Sequence, residues 1–112
     1  MSVFIKTVYS NIYTDLNEFY DQTKNLYGLT QEQLKNMFAT IHKTLENIKV
    51  DYSKGSTSYY FENDSYDYIK FYIDFLRRRG FKVEWKAAKE LQVYDNPEVK
   101  SEIVIKWGVR EE

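Results

Sequence analysis

The sequence has no cysteine, one histidine, one proline and four glycines in 112 residues. Without cysteine there is no disulfide framework, no thiolate zinc site, no iron–sulfur cluster and no thiol nucleophile. The glycines, Gly28, Gly55, Gly80 and Gly108, lie too far apart to build a phosphate-cradling loop, and neither a Walker loop nor a dinucleotide fingerprint occurs. G-x-S-x-G and H-E-x-x-H are equally missing. A metal site would have to rest on carboxylates. The densest acidic string, Glu62-Asn63-Asp64-Ser65-Tyr66-Asp67, lacks the glycine and the closing glutamate of a calcium loop and reads as the charged start of a helix. No cofactor and no metal are therefore expected. No window approaches the roughly 20 apolar residues of a membrane span. The opening Met1-Ser2-Val3-Phe4-Ile5-Lys6 has no basic stretch followed by an apolar run, so the expected location is the cytoplasm, with no membrane partner.

What is present points to a folded protein. The 43% hydrophobic content excludes a disordered polyampholyte, and the length fits one compact domain over residues 1–112. Aromatic residues make up 18% of the chain, 11 of them tyrosine, while 16 basic and 17 acidic side chains nearly cancel. Lysine outnumbers arginine twelve to four, alanine occurs three times, and Tyr, Ile and Asn abound. That bias follows from AT-rich codons, as in a low-GC bacterium or a phage or mobile element living in one.

Ile5, Val8, Tyr9, Ile12, Tyr13, Leu16, Phe19, Tyr20, Leu26 and Tyr27 share an arc of roughly 140° at 100° per residue, which predicts one long amphipathic helix. Its Val3–Tyr9 portion is also β-prone. Gly28 is the expected stop. Thr30 then reads as an N-cap with Gln33 as capping-box partner, and Leu29 and Leu34 form the flanking hydrophobic staple. Loss of the Thr30 hydroxyl is worth about 1 kcal/mol in such a cap. Leu34, Met37, Phe38, Ile41, Leu45 and Ile48 form the stripe of a second helix.

Around Ser53-Lys54-Gly55-Ser56 the period shifts to two, which predicts a β-hairpin with strands near residues 48–52 and 57–62. A third helix is expected to open at Asn63 or Asp64 and to close at Arg77-Arg78-Arg79-Gly80. Phe81-Lys82-Val83-Glu84-Trp85-Lys86-Ala87, a strand through Leu91 and Val93, a turn at Asp95-Asn96-Pro97, and a strand over residues 101–107 complete the chain. Ile48-Lys49-Val50-Asp51-Tyr52 echoes Phe81-Lys82-Val83-Glu84-Trp85, the signature expected of two αββ units. The predicted fold is α+β: three helices on one face of an antiparallel sheet of about four strands, in the order α-α-β-β-α-β-β.

Three features bear on function. In the third helix Asp67, Lys70 and Asp74 occupy only about 60° of the wheel, leaving apolar and tyrosine side chains over roughly 200°. Such a helix is either central, between the sheet and the other helices, or faces another molecule. Tyrosine suits interfaces, because its ring buries area while its hydroxyl keeps a hydrogen bond. Tyr59, Tyr60, Tyr66, Tyr68 and Tyr72 are accordingly the candidate partner-binding residues. Second, residues 57–76 carry four acids and one base, whereas residues 77–110 carry nine bases and five acids. Arg77, Arg78, Arg79, Lys82, Lys86 and Lys89 are the candidate phosphate-binding residues of that basic end. The plainer reading caps a helix with the arginines and sets the lysines on the solvent face of a sheet.

Third, Tyr27-Gly28-Leu29-Thr30-Gln31-Glu32-Gln33-Leu34 resembles the turn and recognition-helix start of a helix-turn-helix, with the predicted hairpin where a wing would be. The resemblance covers about 20 residues and implies DNA binding. It departs from the motif at Lys24, where a small residue is wanted, in the length of the first helix, and in the reading face of Gln31, Glu32, Lys35 and Asn36, which carries no net charge. An RRM-type sheet would need exposed aromatics where the pattern leaves mainly Lys, Glu and Tyr60. His42 has only Glu46 nearby to orient it, and no catalytic residue is assigned. The expected function is a non-catalytic protein-interaction or regulatory module binding a host protein or a second copy of itself. The alternative is a winged-helix-like nucleic-acid binder using residues 77–110.

Overall fold

Residues 12–62, 64–86 and 100–108 are described by the computed structural model. Helix α1 (Ile12–Tyr27) ends where Gly28 adopts φ 63° and its N–H donates to the Lys24 carbonyl at 3.0 Å. A side chain at that φ would be strained. Helix α2 (Gln31–Val50) begins with the anticipated capping box. The Gln33 N–H donates to Thr30 Oγ1 at 3.1 Å, and the Thr30 N–H donates to Gln33 Oε1 at 2.9 Å. Leu29 and Leu34 are both buried beside it, and the Tyr20 hydroxyl donates to the Leu29 carbonyl at 2.9 Å, tying the turn to α1.

The predicted hairpin over residues 48–62 does not form. Ile48 continues the buried stripe of Ile41 and Leu45, so α2 runs to Val50, which is 82% exposed. A strand burying residues 48, 50 and 52 on one face would have buried Val50. A short 3-10 turn (Tyr52–Lys54) follows, closed by Gly55 at φ 74°, whose N–H donates to the Tyr52 carbonyl at 3.1 Å. The αββ echo falls with the hairpin, since residues 48–50 are helical whereas residues 82–86 form a strand.

Strand β1 (Ser56–Glu62) leads to helix α3 (Tyr66–Arg78). Its cap is Ser65, not Asn63 or Asp64: the Tyr68 N–H donates to Ser65 Oγ at 3.2 Å. A serine hydroxyl in that position satisfies a first-turn donor as well as a carboxylate does. At the other end Gly80 (φ 96°) donates to the Arg77 carbonyl at 3.0 Å and Phe81 donates to that of Leu76 at 3.2 Å, the paired bonds of a Schellman stop.

Strands β2 (Lys82–Lys86) and β3 (Lys100–Lys106) complete an antiparallel sheet in the order β1-β3-β2. Among the described residues the sheet has three strands, where about four were expected. The strand through Leu91 and Val93, the turn at residues 95–97 and the β-prone Val3–Tyr9 segment lie outside the described residues. Tyr59 and Trp85 both sit opposite Ile103, and Thr57 and Val83 opposite Ile105. These residues form the inner face, against which the helices pack.

Helix α3 is central. Phe71, Tyr72, Phe75 and Leu76 are fully buried. Toward α1, the Phe19 ring lies 4.9 Å from Phe71 and 5.8 Å from Phe75; toward the sheet, Tyr72 lies 4.9 Å from Phe61 and 5.7 Å from Tyr59. The wide apolar arc is thus used on two sides of one helix, and truncating any of these rings to alanine would remove roughly 3–5 kcal/mol. No helix among the described residues is long and apolar enough to cross a membrane.

Candidate interaction surface

The five tyrosines singled out from the sequence separate by depth. Tyr68 and Tyr72 are core residues and present no docking surface, because α3 is covered on both sides. Burial also pushes the Tyr72 phenol far above its ordinary pKa, so it stays a neutral donor. Tyr59 is half-buried on the inner face against Phe61 at 4.9 Å. Tyr60, on the outer face, is 58% exposed, and its hydroxyl lies 3.5 Å from Glu102 Oε1, which also accepts from Ser58 Oγ at 3.3 Å. Tyr66 is 62% exposed with its ring 5.1 Å from that of Trp85. Since Trp85 belongs to the inner-face row, Tyr60 and Tyr66 lie on different sides of the sheet and form no single patch.

The arginines of the basic end each have a partner within the chain. Arg77 Nη2 donates to the Val83 carbonyl at 2.9 Å, Arg78 Nη1 to Gln22 Oε1 at 2.8 Å, and Arg79 Nη1 to Asp15 Oδ2 at 2.5 Å. Three successive arginines are therefore spent on β2 and two positions of α1. Lys82 and Lys86 are exposed on β2, but Glu84 stands between them and binds Lys106 at 3.3 Å. Lys89 lies outside the described residues.

No group of three or more His, Cys, Asp or Glu among the described residues could hold a metal ion. His42 is exposed on α2, its ring 6.3 Å from Phe38. A cavity of about 230 Å³ between α1 and α2 is lined by Tyr13, Leu16, Asn17, Gln31, Leu34, Lys35 and Phe38, with neither a histidine nor a carboxylate among them. It offers an apolar recess and no acid–base pair.

The two edges of the sheet carry the most informative geometry. The Trp107 N–H donates to the Gly55 carbonyl at 3.0 Å, and the β1–β3 register carried back by one residue places Gly55 opposite Trp107. In an antiparallel ladder inward- and outward-bonding residues alternate. Thr57, Tyr59 and Phe61 therefore bond β3, while Ser58 and Tyr60 turn their N–H and C=O away from the sheet. At the opposite edge the same alternation turns Val83 outward, and Arg77 occupies its carbonyl. Lys82 and Lys86 flank that site, the cations that commonly block edge pairing. The β1 edge has no Lys, Arg or Pro in Ser56–Glu62. In the expected hairpin residues 48–52 would have covered this edge; they end a helix instead, and among the described residues no strand pairs with it. Compared with protein-family models, curated proteins and solved structures, the chain matches none.

Proposed function

We propose that this chain is a small non-catalytic interaction module that takes up a partner strand along the β1 edge, with Tyr60 as the exposed aromatic beside it. The observation that carries the reading is the contrast between the edges: β2 is flanked by lysines and capped by Arg77, and β1 carries no such guard. Strand addition draws affinity from main-chain bonds and selectivity from alternate side chains, which here are Ser58 and Tyr60. Action in the cytoplasm, and origin in a low-GC bacterium or one of its phages or mobile elements, belong to the same reading.

The Ser58→Pro substitution tests it. The Ser58 N–H faces outward, so proline removes a donor needed by the partner and none used by β3. Cross-linked capture from a low-GC bacterial lysate should yield a protein with the wild-type chain and lose it with Ser58→Pro, far-UV circular dichroism being unchanged. Equal retention by both forms rejects the edge. A chain that stays monomeric and retains nothing rejects the module. The winged-helix alternative finds less support, since residues 48–62 form no wing and the three arginines are engaged internally.

A further inference from the structure

We infer that the recess between α1 and α2 binds a small monocarboxylate carrying one aromatic ring; the inference is independent of the β1 edge. Size sets the first limit. The recess encloses about 230 Å³. A dry apolar cavity of roughly 150 Å³ suffices for benzene, and drug-sized ligands occupy pockets of roughly 300–1,000 Å³. The space therefore suits a single ring with a short polar arm.

The lining sets the chemistry. Leu16 and Leu34, both buried, contribute from the two helices, and beside them the rings of Tyr13 and Phe38 stand with centroids 3.8 Å apart and planes inclined by 37°. On such a surface a ring gains by leaving water. The polar part of the lining is equally definite. Asn17 Nδ2 donates to the Tyr13 carbonyl at 2.8 Å, which holds that amide on α1. Gln31 and Lys35 are four residues apart on α2 and so share one rim of the recess. Lys35 is exposed and pairs with no carboxylate among the described residues, although Glu32 stands three positions before it, a spacing at which helical ion pairs form. The described lining thus carries one cation and no anion, in a chain whose total charge is −1. A ligand cation would meet the Lys35 ammonium as a like charge, and a neutral ring would leave that ammonium to water. A carboxylate instead accepts from Lys35 and from the Gln31 amide while the ring rests on Leu16, Leu34 and Phe38. Neither half suffices alone, because an exposed ion pair contributes little in water.

The probe is phenylacetate, titrated into the full chain and followed by amide chemical shifts in NMR spectra. Phenylacetamide serves as the uncharged isostere and acetate as the anion without a ring. Phenylacetate should shift the amides of Leu16, Leu34, Lys35 and Phe38 and saturate at millimolar concentration. Phenylacetamide should bind about two- to fivefold more weakly, the weight of one exposed charge pair, and acetate should not saturate. Lys35→Gln, at an exposed position the fold does not depend on, should bring acid and amide to the same affinity. Lys35→Glu should transfer the preference to benzylamine, the same ring bearing an ammonium. Absence of shifts at these four residues overturns the site. Equal binding of acid and amide by the wild type also overturns it, leaving an apolar seat for a side chain of a protein partner, and so does an acid preference that survives Lys35→Gln. Capture through Ser58 and these titrations read different surfaces, so the failure of either leaves the other standing.

Discussion

The hydroxyl of Tyr72 and that of Thr44 meet at 2.5 Å in the core, joining α3 to α2. Thr44 Oγ1 also lies 3.0 Å from the Thr40 carbonyl, to which it donates, so Tyr72 is the donor of the pair. A phenol buried between the sheet and two helices is tolerated because this one acceptor is in place.

The two halves of that bond should be unequal. Thr44→Val leaves the Tyr72 hydroxyl buried without an acceptor and is expected to destabilise the fold by about 1–3 kcal/mol. Tyr72→Phe leaves Thr44 still bonded to Thr40 and should cost less. The double substitution should recover part of the Thr44→Val loss, a coupling read by urea denaturation of all four forms.

Tyr27 supplies a pH dependence. Its hydroxyl donates to the Asp74 carboxylate, linking α1 to α3. Burial, the bond to Asp74 and the charge of Asp74 together push the Tyr27 phenol from 10.0 to about 12. The folded form therefore holds a proton that the unfolded chain releases first. This contribution is complete below pH 10 and is lost as pH rises through about 12. The stability difference between wild type and Tyr27→Phe, measured by denaturant titration, should stay constant up to pH 10 and shrink above it.

Ion pairs at two depths should differ in weight. Arg79 has a side chain 7% exposed, pairs with Asp15 and lies 5.7 Å from the Phe75 ring centre. Asp15→Ala removes a charge-assisted bond from a buried guanidinium and should cost roughly 1.5–3 kcal/mol. The pair of Lys54 with Asp51 lies at the surface, and Lys54→Ala should cost less than about 1 kcal/mol. Thermal unfolding of the two variants separates these expectations.

The helices were legible because their signals are local. Gly28, Gly80, the Thr30–Gln33 box and the stripe from Leu34 to Ile48 each act within one or two turns. The stretch from Ile48 to Tyr52 is ambiguous in sequence because alternation over five residues fits a strand as well as the last turn of a helix. The balance was tipped by the core, which takes Ile48 and leaves Val50 in solvent. Asn63, Asp64 and Ser65 are all residue types that cap helices, and only the backbone shows that Ser65 precedes the first helical residue.

The candidate site was legible only in part. The aromatic excess directs attention to the segment from Tyr59 to Tyr72, but depth within the fold separates its members: Tyr68 and Tyr72 fill the core, Tyr60 faces solvent, and Tyr66 rests on Trp85. The basic run likewise looked like one patch in the sequence, while Arg77, Arg78 and Arg79 leave the helix end in three directions.

What the sequence determined by itself is the set of helices, the α+β class and the absence of cysteine, glycine-loop and histidine-cluster chemistry, because composition and short-range periodicity act without reference to distant residues. What only the tertiary structure decided is the pairing of β1 with β3, some 44 positions away along the chain from Tyr59 to Ile103. That choice leaves one edge of β1 without a strand partner among the described residues, and no local pattern encodes it, since strand partners are selected by how the whole core closes.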